Sequence, residues 1–381
     1  MAASLVREQR SLGHESELGT LMNSDLSGQP WKHPTLTLRA AADRWLVAEP
    51  NKSAFFSFYR NGFHSNMQFS ASDVVNLHWM NGVLNADQLE SVVGLNPGRV
   101  FWTLHDMAPF TGGCHYAEDC NAFESTCNQC PQVRSLFVKP VRRALETKLE
   151  HAPVYSEITY VAPSPWMRDM AQASALLRDA RVEVILNPIN RTFFSAQSRA
   201  NARKQLGIEE HRLVGMIIAA DLSDPRKGVR QALTALSATR ATGVELDVLL
   251  VGGQGDRLAH DFPFVRMLGS LDPEALAQIG AASDFLVVMS VADNAPLVIG
   301  EAGAMGVPTF VRSGTGASQL VRDGKTGIIV DSMDDLASAV TRVSQHREWL
   351  AEMGNNAQSS ARENHEPGIV AQKYLTLYAS A

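Results

Sequence analysis

Short runs of β-branched and aliphatic residues alternate with longer helical patterns along most of this chain, and that alternation restricts it to parallel sheets covered by helices. A first set of runs is DVVNLH at 73–78, RVFWTL at 99–104, ITYVAP at 158–163 and VEVILN at 182–187. A second set is RLVGMIIAA at 212–220, ELDVLLVG at 245–252, DFLVVMS at 284–290 and VPTFV at 307–311, separated by helical stretches near 229–241, 273–281 and 297–305. At 381 residues the chain exceeds what one hydrophobic core usually supports. The expected architecture is therefore α/β, with two Rossmann-like doubly wound domains facing across a cleft. The break is placed after LNPINRTFF, where the polar, Ala-rich SAQSRANARKQLG follows. This gives an N-terminal domain over 1–190, a C-terminal domain over 191–364, and a last helix over 365–381 that packs back on the N-terminal domain. The chain opens inside what reads as a first helix, AASLVREQRSLGHESEL, so the first strand of the N-terminal domain is expected to be missing.

Net charge is −6, with a sequence pI near 6.0, which argues against nucleic acid as a partner, because phosphate-backbone binding needs a basic excess. No run approaches the length of a membrane-spanning helix, and the N-terminus carries acidic residues where a signal peptide would be basic and then apolar. The expected location is the cytosol. In such open sheets ligands bind beyond the C-terminal strand ends, so the loops after the strands are where chemistry is sought.

Three segments stand out there. In VADNAPLVIGEAGAMGVPTF at 291–310, Asp293 or Asn294 is expected to cap a helix running to about Met305, with Pro296 in its first turn. The unpaired amides of that helix start favour an anion such as a diphosphate. Glu301 is expected about two turns in, where a carboxylate accepts hydrogen bonds from ribose hydroxyls, and Asp293 at the mouth could accept from sugar hydroxyls. An ordinary capped helix with an incidental Glu fits the same spacing. In DPRKG at 224–228, Arg226 and Lys227 are adjacent cations at a strand-to-helix turn, suited to a leaving diphosphate or simply to solvent. In TLHDMAPFTGGCHY at 103–116, His105 and Asp106 emerge from the end of a buried strand, so His105 could touch a substrate or act as a base.

Cys114, Cys120, Cys127 and Cys130 lie within 17 residues. In a reducing compartment that clustering fits a closed, structural zinc site, with four reduced thiols or redox pairs as the other readings. Arg134, Lys139, Arg142, Arg143 and Lys148 punctuate an amphipathic stretch that fits either an anionic membrane surface or a solvated helix face.

The order VNLHWMNGVL, VFWTLHDMAPFTGGCHY, CNQCPQV, VAPSPWM, VILNPINRTFF, PRKG, ADNAPLVIGEAGAMGVP, LVRDGKTGIIV resembles bacterial family-four glycosyltransferases, and more narrowly the branch of exopolysaccharide and colanic-acid-type assembly. The resemblance runs from residue 1 to about 331. It implies the GT-B architecture, a nucleotide-sugar donor carried by UDP or GDP, no metal or other cofactor for catalysis, and retention of anomeric configuration. It also implies a glycan or lipid-linked acceptor, with peripheral contact at the cytoplasmic face of the inner membrane. Lys227, with Arg226 beside it, would hold the donor diphosphate, Glu301 the ribose, and Asp293 the transferred sugar. Asn294, Ala295, Pro296 and Leu297 would line the sugar and phosphate pocket, Gly269 and Leu271 the nucleobase, and His105 would match the family's cleft histidine. The chain departs from the pattern in having Asp at 293 where the family has Glu, Ala219-Ala220 in place of a Gly-Arg pair, Gln319 where Glu is common, and no Gly-rich first loop. Those departures support an alternative, a catalytically degenerate member that binds nucleotide-sugar as a scaffold subunit. A nucleotide-sugar epimerase or a phosphorylase of the same fold are further readings.

Overall fold

The computed structural model describes residues 1–19, 71, 74–80, 84–195 and 197–381. The stretch bearing on the missing first strand, and Asp73 at the start of the first expected run, lie outside them. Beyond its first two residues the chain divides into two compact units, one of residues 3–8 and 186–371, the other of residues 9–185 and 372–381.

The unit carrying residues 9–185 holds a parallel sheet of β1 (Val75–His78), β2 (Val100–Thr103), β3 (Thr159–Ala162) and β4 (Val182–Val184), in the order β1-β2-β3-β4 among the described residues. All four residues of β2 are buried, as expected of a strand covered on both faces. Helix α1 (Ala86–Leu95) starts on a reciprocal capping box between Asn85 and Gln88. Helix α2 (Val138–Glu150) buries Val141, Ala144, Leu145 and Lys148, one stripe at helical spacing. The C-terminal residues of this unit close one side of the sheet: the Tyr374 hydroxyl lies 3.2 Å from Thr103 Oγ1, and Asn76 Nδ2 donates to the Tyr378 hydroxyl at 2.6 Å.

The other unit holds a six-stranded parallel sheet of β5 (Leu213–Asp221), β6 (Leu246–Gly253), β7 (Val265–Met267), β8 (Phe285–Val288), β9 (Thr309–Arg312) and β10 (Gly327–Val330), in the order β10-β9-β8-β5-β6-β7. The chain enters at the centre in β5, winds outward to β7, then returns to β8 on the other flank of β5. This reversal makes the sheet doubly wound. It also puts the topological switch point between β5 and β8, where the connections leave in opposite directions and open a crevice at the C-terminal strand ends.

A charge cluster fixes the other end of β8. Asp284 accepts from Arg199 Nη2 at 2.6 Å, Arg203 Nη2 at 2.9 Å and the Val214 amide at 2.7 Å, with Arg347 Nη1 at 3.3 Å. These contacts tie β8 to β5 and to helices α3 (Arg199–Leu206) and α4 (Arg347–His365).

Candidate functional site

The two segments flanking the switch point are those singled out from sequence, DPRKG after β5 and the stretch after β8. They are stitched together. The Val291 amide donates to Arg226 O at 2.9 Å, and Arg226 Nη1 donates to Ala292 O at 3.0 Å. Asp224 caps the turn, accepting from the Arg226 amide at 2.9 Å and from Arg226 Nη2 at 3.1 Å. Arg226 is thereby 8% exposed, and its guanidinium is spent on holding the turn. Gly228 sits at φ +63° with its α-carbon against Met289, where a Cβ would come within 2.5 Å of the carbonyl oxygen. Only glycine lets the basic turn approach β8 this closely.

Lys227 emerges from that turn and places Nζ 2.6 Å from Asp293 Oδ2. The cation is partly open to solvent and Asp293 is 6% exposed, so the pair sits at the surface of the crevice with its anion embedded. Asp293 Oδ1 also accepts from the Asn294 amide at 3.1 Å. The Gly316 amide donates to Asp293 O at 3.0 Å, and a Cβ on Gly316 would fall within 2.0 Å of Asn294 O. Between Gly314 and Gly316 stands Thr315, a residue the sequence reading passed over. Its hydroxyl is buried and has no hydrogen-bond partner among the described residues.

Helix α5 (Leu297–Ala304) starts later than expected. Its N-cap is Pro296, which has no side-chain cap bond, so neither Asp293 nor Asn294 caps it. The reason is competition: the Asp293 carboxylate is drawn to Lys227, 66 positions away, and its carbonyl accepts from the Gly316 amide. Glu301 consequently lies in the fifth position of the helix, about one turn in rather than two. Asn294 is buried, Ala295 and Pro296 are half-buried, and Leu297 is 42% exposed, so this edge shows a mixed polar and apolar rim. Gly269 follows β7 at φ +70°, and its carbonyl accepts from the Gly252 amide at 2.8 Å, with half-buried Leu271 two residues on.

Burial pushes the Glu301 carboxyl up to about 7 from 4.5. The folded value exceeds the unfolded one, so the fold binds the extra proton in that interval. The stability this group contributes is fully present below pH 4.5 and is lost as pH rises through about 7. Relative to Glu301→Gln, the native chain is expected to lose roughly 2–3 kcal/mol between about pH 4.5 and 8. Urea denaturation of both proteins at matched pH values measures the difference, and parallel curves would refute the burial argument.

The other unit carries its own cluster at the C-terminal ends of β1 and β2. His78 Nδ1 and His105 Nε2 are 3.0 Å apart, and the Trp79 ring stacks on His105 at 5.2 Å between centroids and 6° between planes. Asp106 is buried, accepts from the Ala108 amide at 2.9 Å, and holds His115 Nδ1 at 2.9 Å. Burial, with Asp106 opposing, holds His105 down at about 4; burial and then His105 hold His78 at about 3. Both imidazoles are neutral at pH 7. Of the two roles open to His105 from sequence, a hydrogen-bonding contact fits this value and proton uptake does not. Trp79, also unanticipated, is 57% exposed in a left-handed backbone at φ +53°, a conformation that disfavours non-glycine residues.

The four cysteines are all free and line one small apolar cavity with Phe123 and Val141. Burial pushes the Cys127 thiol up to about 11 and raises Cys114 and Cys130, which argues against a nucleophilic role. On α2 the basic face is smaller than expected. Lys148 is 1% exposed, because it falls seven residues after Val141 on the buried stripe, while Arg142 and Arg143 pair with Glu146 and Glu150.

The segment that carries the switch-point site is also the one with known likenesses. Residues 214–346 match the family model Glycosyl transferases group 1. The span holds Arg226, Lys227, Asp293, Glu301 and Thr315. Over 208 residues the chain is 30% identical to the D-inositol 3-phosphate glycosyltransferase of Nocardioides, covering 48% of this chain and 45% of that protein. Over 201 residues it is 28% identical to the same enzyme of Gordonia bronchialis, covering 48% and 44%. The chain thus spans less than half the length of these relatives. Among solved structures it is similar to a glycosyltransferase from Rickettsia africae, with TM-score 0.61 and 13% identity over 100% of this chain and 93% of that one. Anabaena HepE, solved in complex with UDP-glucose, superimposes with TM-score 0.54 and 18% identity over 78% and 77%. These likenesses carry the fold, α/β with parallel sheets of the GT-B type. Among the described residues no helix is long and apolar enough to cross a membrane.

Proposed function

We propose that this chain moves a sugar from a nucleotide-sugar donor to a hydroxyl of a glycan or lipid-linked acceptor. The observation that carries this reading is the Lys227–Asp293 pair at 2.6 Å, seated at the switch point inside the Glycosyl transferases group 1 segment. A cation and an acceptor so close suit a ligand that joins a diphosphate to a polyhydroxyl ring. Lys227 takes the developing charge of the leaving diphosphate, Asp293 accepts from a sugar hydroxyl, and Arg226 keeps the turn in place. The Thr315 hydroxyl and the open amides at the start of α5 are further donors to phosphate. Glu301 accepts from the ribose, and the rim from Asn294 to Leu297 and the Gly269–Leu271 turn flank the sugar and the base. UDP is the favoured carrier, by analogy with the UDP-glucose complex of the similar HepE. Retention of anomeric configuration, a role in cell-surface polysaccharide assembly, and action at the cytoplasmic face of the membrane follow from the sequence resemblance. The exposed Leu136 beside Arg134 and Lys139 supplies a point of membrane contact.

The test is release of nucleoside diphosphate from a panel of UDP- and GDP-sugars with lipid-linked and free glycan acceptors. Turnover with one donor class supports the proposal; absence of turnover with every donor opposes it. Ala219-Ala220, the latter exposed at the end of β5, supplies no cation beside Lys227 and favours the degenerate scaffold as second reading. That protein would bind UDP or GDP in calorimetry without turnover.

In the other unit, Trp79 and neutral His105 are proposed to hold an acceptor sugar ring, by stacking and by a hydrogen bond. Trp79→Ala is expected to raise KM for the acceptor by about 5- to 30-fold and leave KM for the donor unchanged, with Trp79→Phe close to native. Equal KM values for the acceptor in native and Trp79→Ala proteins would exclude Trp79 from the site.

A further inference from the structure

The cysteine cavity is a feature that the proposed reaction leaves unused. Its four sulfurs come from three separate segments, with Cys114 after Gly112-Gly113, Cys120 after a turn closed by its own amide on Ala117 O at 3.0 Å, and Cys127 and Cys130 on either side of one bend. Four free thiols arriving independently at one cavity exceed what packing of a surface loop needs. Two further observations bear on what the cavity holds.

The first is the backbone. The Gly112 amide lies beside the Cys127 sulfur, and the amides of Gln132 and Val133 lie beside the Cys130 sulfur. Two consecutive amides beside one sulfur, just after a C-x2-C pair, form the kind of turn that steadies a thiolate. Cys127 is held at φ +50° to complete it, a strained conformation for a residue with a Cβ.

The second is charge. Lys148 is 1% exposed, and its ammonium donates to Ala108 O at 2.6 Å and Thr111 O at 2.8 Å. The ammonium is set among Cys114, Cys127 and Asp106, and Asp106 also holds His115 at 2.9 Å. A buried ammonium is costly unless an anion offsets it. Four thiolates around a divalent cation carry a net charge of two minus, which one ammonium halves.

We infer that Cys114, Cys120, Cys127 and Cys130 bind a structural zinc ion, and that Lys148 balances the charge of the tetrathiolate site. Soft thiolates in a closed set of four select zinc and leave no position open for substrate, so the ion's role is architectural. Among the described residues no three of these sulfurs lie mutually within 4.8 Å, the group that does so being the partly exposed trio Asp87, Glu90 and His151. Sulfurs on a tetrahedral zinc are about 3.8 Å apart, given bonds of about 2.3 Å, so binding draws the loop inward and closes the cavity. The consequence reaches the His105 cluster. Cys114 O accepts from Thr111 Oγ1 at 3.0 Å, and His115, the next residue, holds Asp106 and accepts from the Met107 amide at 3.0 Å. A metal at Cys114 therefore fixes the segment that presents His105.

The intact chain, purified without added metal or chelator, is expected to carry one equivalent of zinc by mass spectrometry of the elements. Replacement by cobalt is expected to give the thiolate charge-transfer and tetrahedral ligand-field bands. Lys148→Met, with folding checked by circular dichroism, is expected to weaken zinc about 10- to 100-fold in chelator competition, the usual loss when an outer partner of a metal site is removed. Cys130→Ser is expected to lower zinc content without unfolding the sheet. Four titratable thiols in a chain that takes up neither metal would overturn the proposal, as would disulfides or iron in place of zinc. An unchanged zinc affinity in Lys148→Met would overturn the charge-balancing role.

Discussion

Lys227→Met is expected to lower kcat/KM for the nucleotide-sugar by about 10²- to 10³-fold, the loss typical when one preorganised group facing developing charge is removed. The substitution keeps the length of the side chain and its packing against the turn. It removes the cation 2.6 Å from Asp293 and leaves that carboxylate, 6% exposed, with the Asn294 amide as a remaining donor. Some loss of stability is therefore expected as well, since an embedded carboxylate has lost its counter-charge. Adding Asp293→Asn separates the two effects. The double variant should recover its thermal midpoint and remain as poor a catalyst as the single one. Recovery of turnover along with stability would show that Lys227 serves the fold alone.

The second large effect lies at the opposite end of the same strand. Asp284→Ala is expected to destabilise the unit by about 3–5 kcal/mol, the range for removing one partner of a buried ion pair. Arg203 is the reason. Its guanidinium belongs to a residue 1% exposed, and Asp284 is its carboxylate partner at 2.9 Å, the remaining bonds of Nη1 going to the carbonyls of Glu209, Glu210 and Arg212. Removing Asp284 also strips the acceptor from the Val214 amide at the head of β5. Because β5 and β8 frame the switch point, nucleotide affinity should fall with stability. Denaturant titration measures the first and calorimetry the second. A loss below about 1 kcal/mol would place this network with surface ion pairs, which contribute little.

The architecture was legible because doubly buried parallel strands read as continuous apolar runs, and RLVGMIIAA and DFLVVMS do so without ambiguity. The strands left unnamed are β7 (Val265–Met267) and β10 (Gly327–Val330), the two edges of the six-stranded sheet. Both are short: β7 has three residues, none of them buried, with a charged Arg266 at its centre, and β10 has four and opens on a glycine, so neither shows a periodic signal. The site followed the same division. Lys227 and Asp293 could be named from the loops they occupy, but their pairing over 66 positions leaves no local trace, and it is this pairing that delays the start of α5 to Leu297. Trp79 was invisible as a site residue because a single aromatic after a strand is ordinary; its left-handed backbone and its stack on His105 give it meaning. Lys148 was readable. Val141, Ala144, Leu145 and Lys148 follow helical spacing, and counting the face would have placed the lysine inside.

The measurement that tests the central claim most directly is calorimetric titration of the intact chain with UDP and UDP-glucose, run beside Lys227→Met. The account expects saturable binding at one site per chain, weakened at least tenfold in the variant, about 1.4 kcal/mol. No binding by the native protein to either ligand or to their GDP counterparts, or equal binding by both proteins, would contradict it.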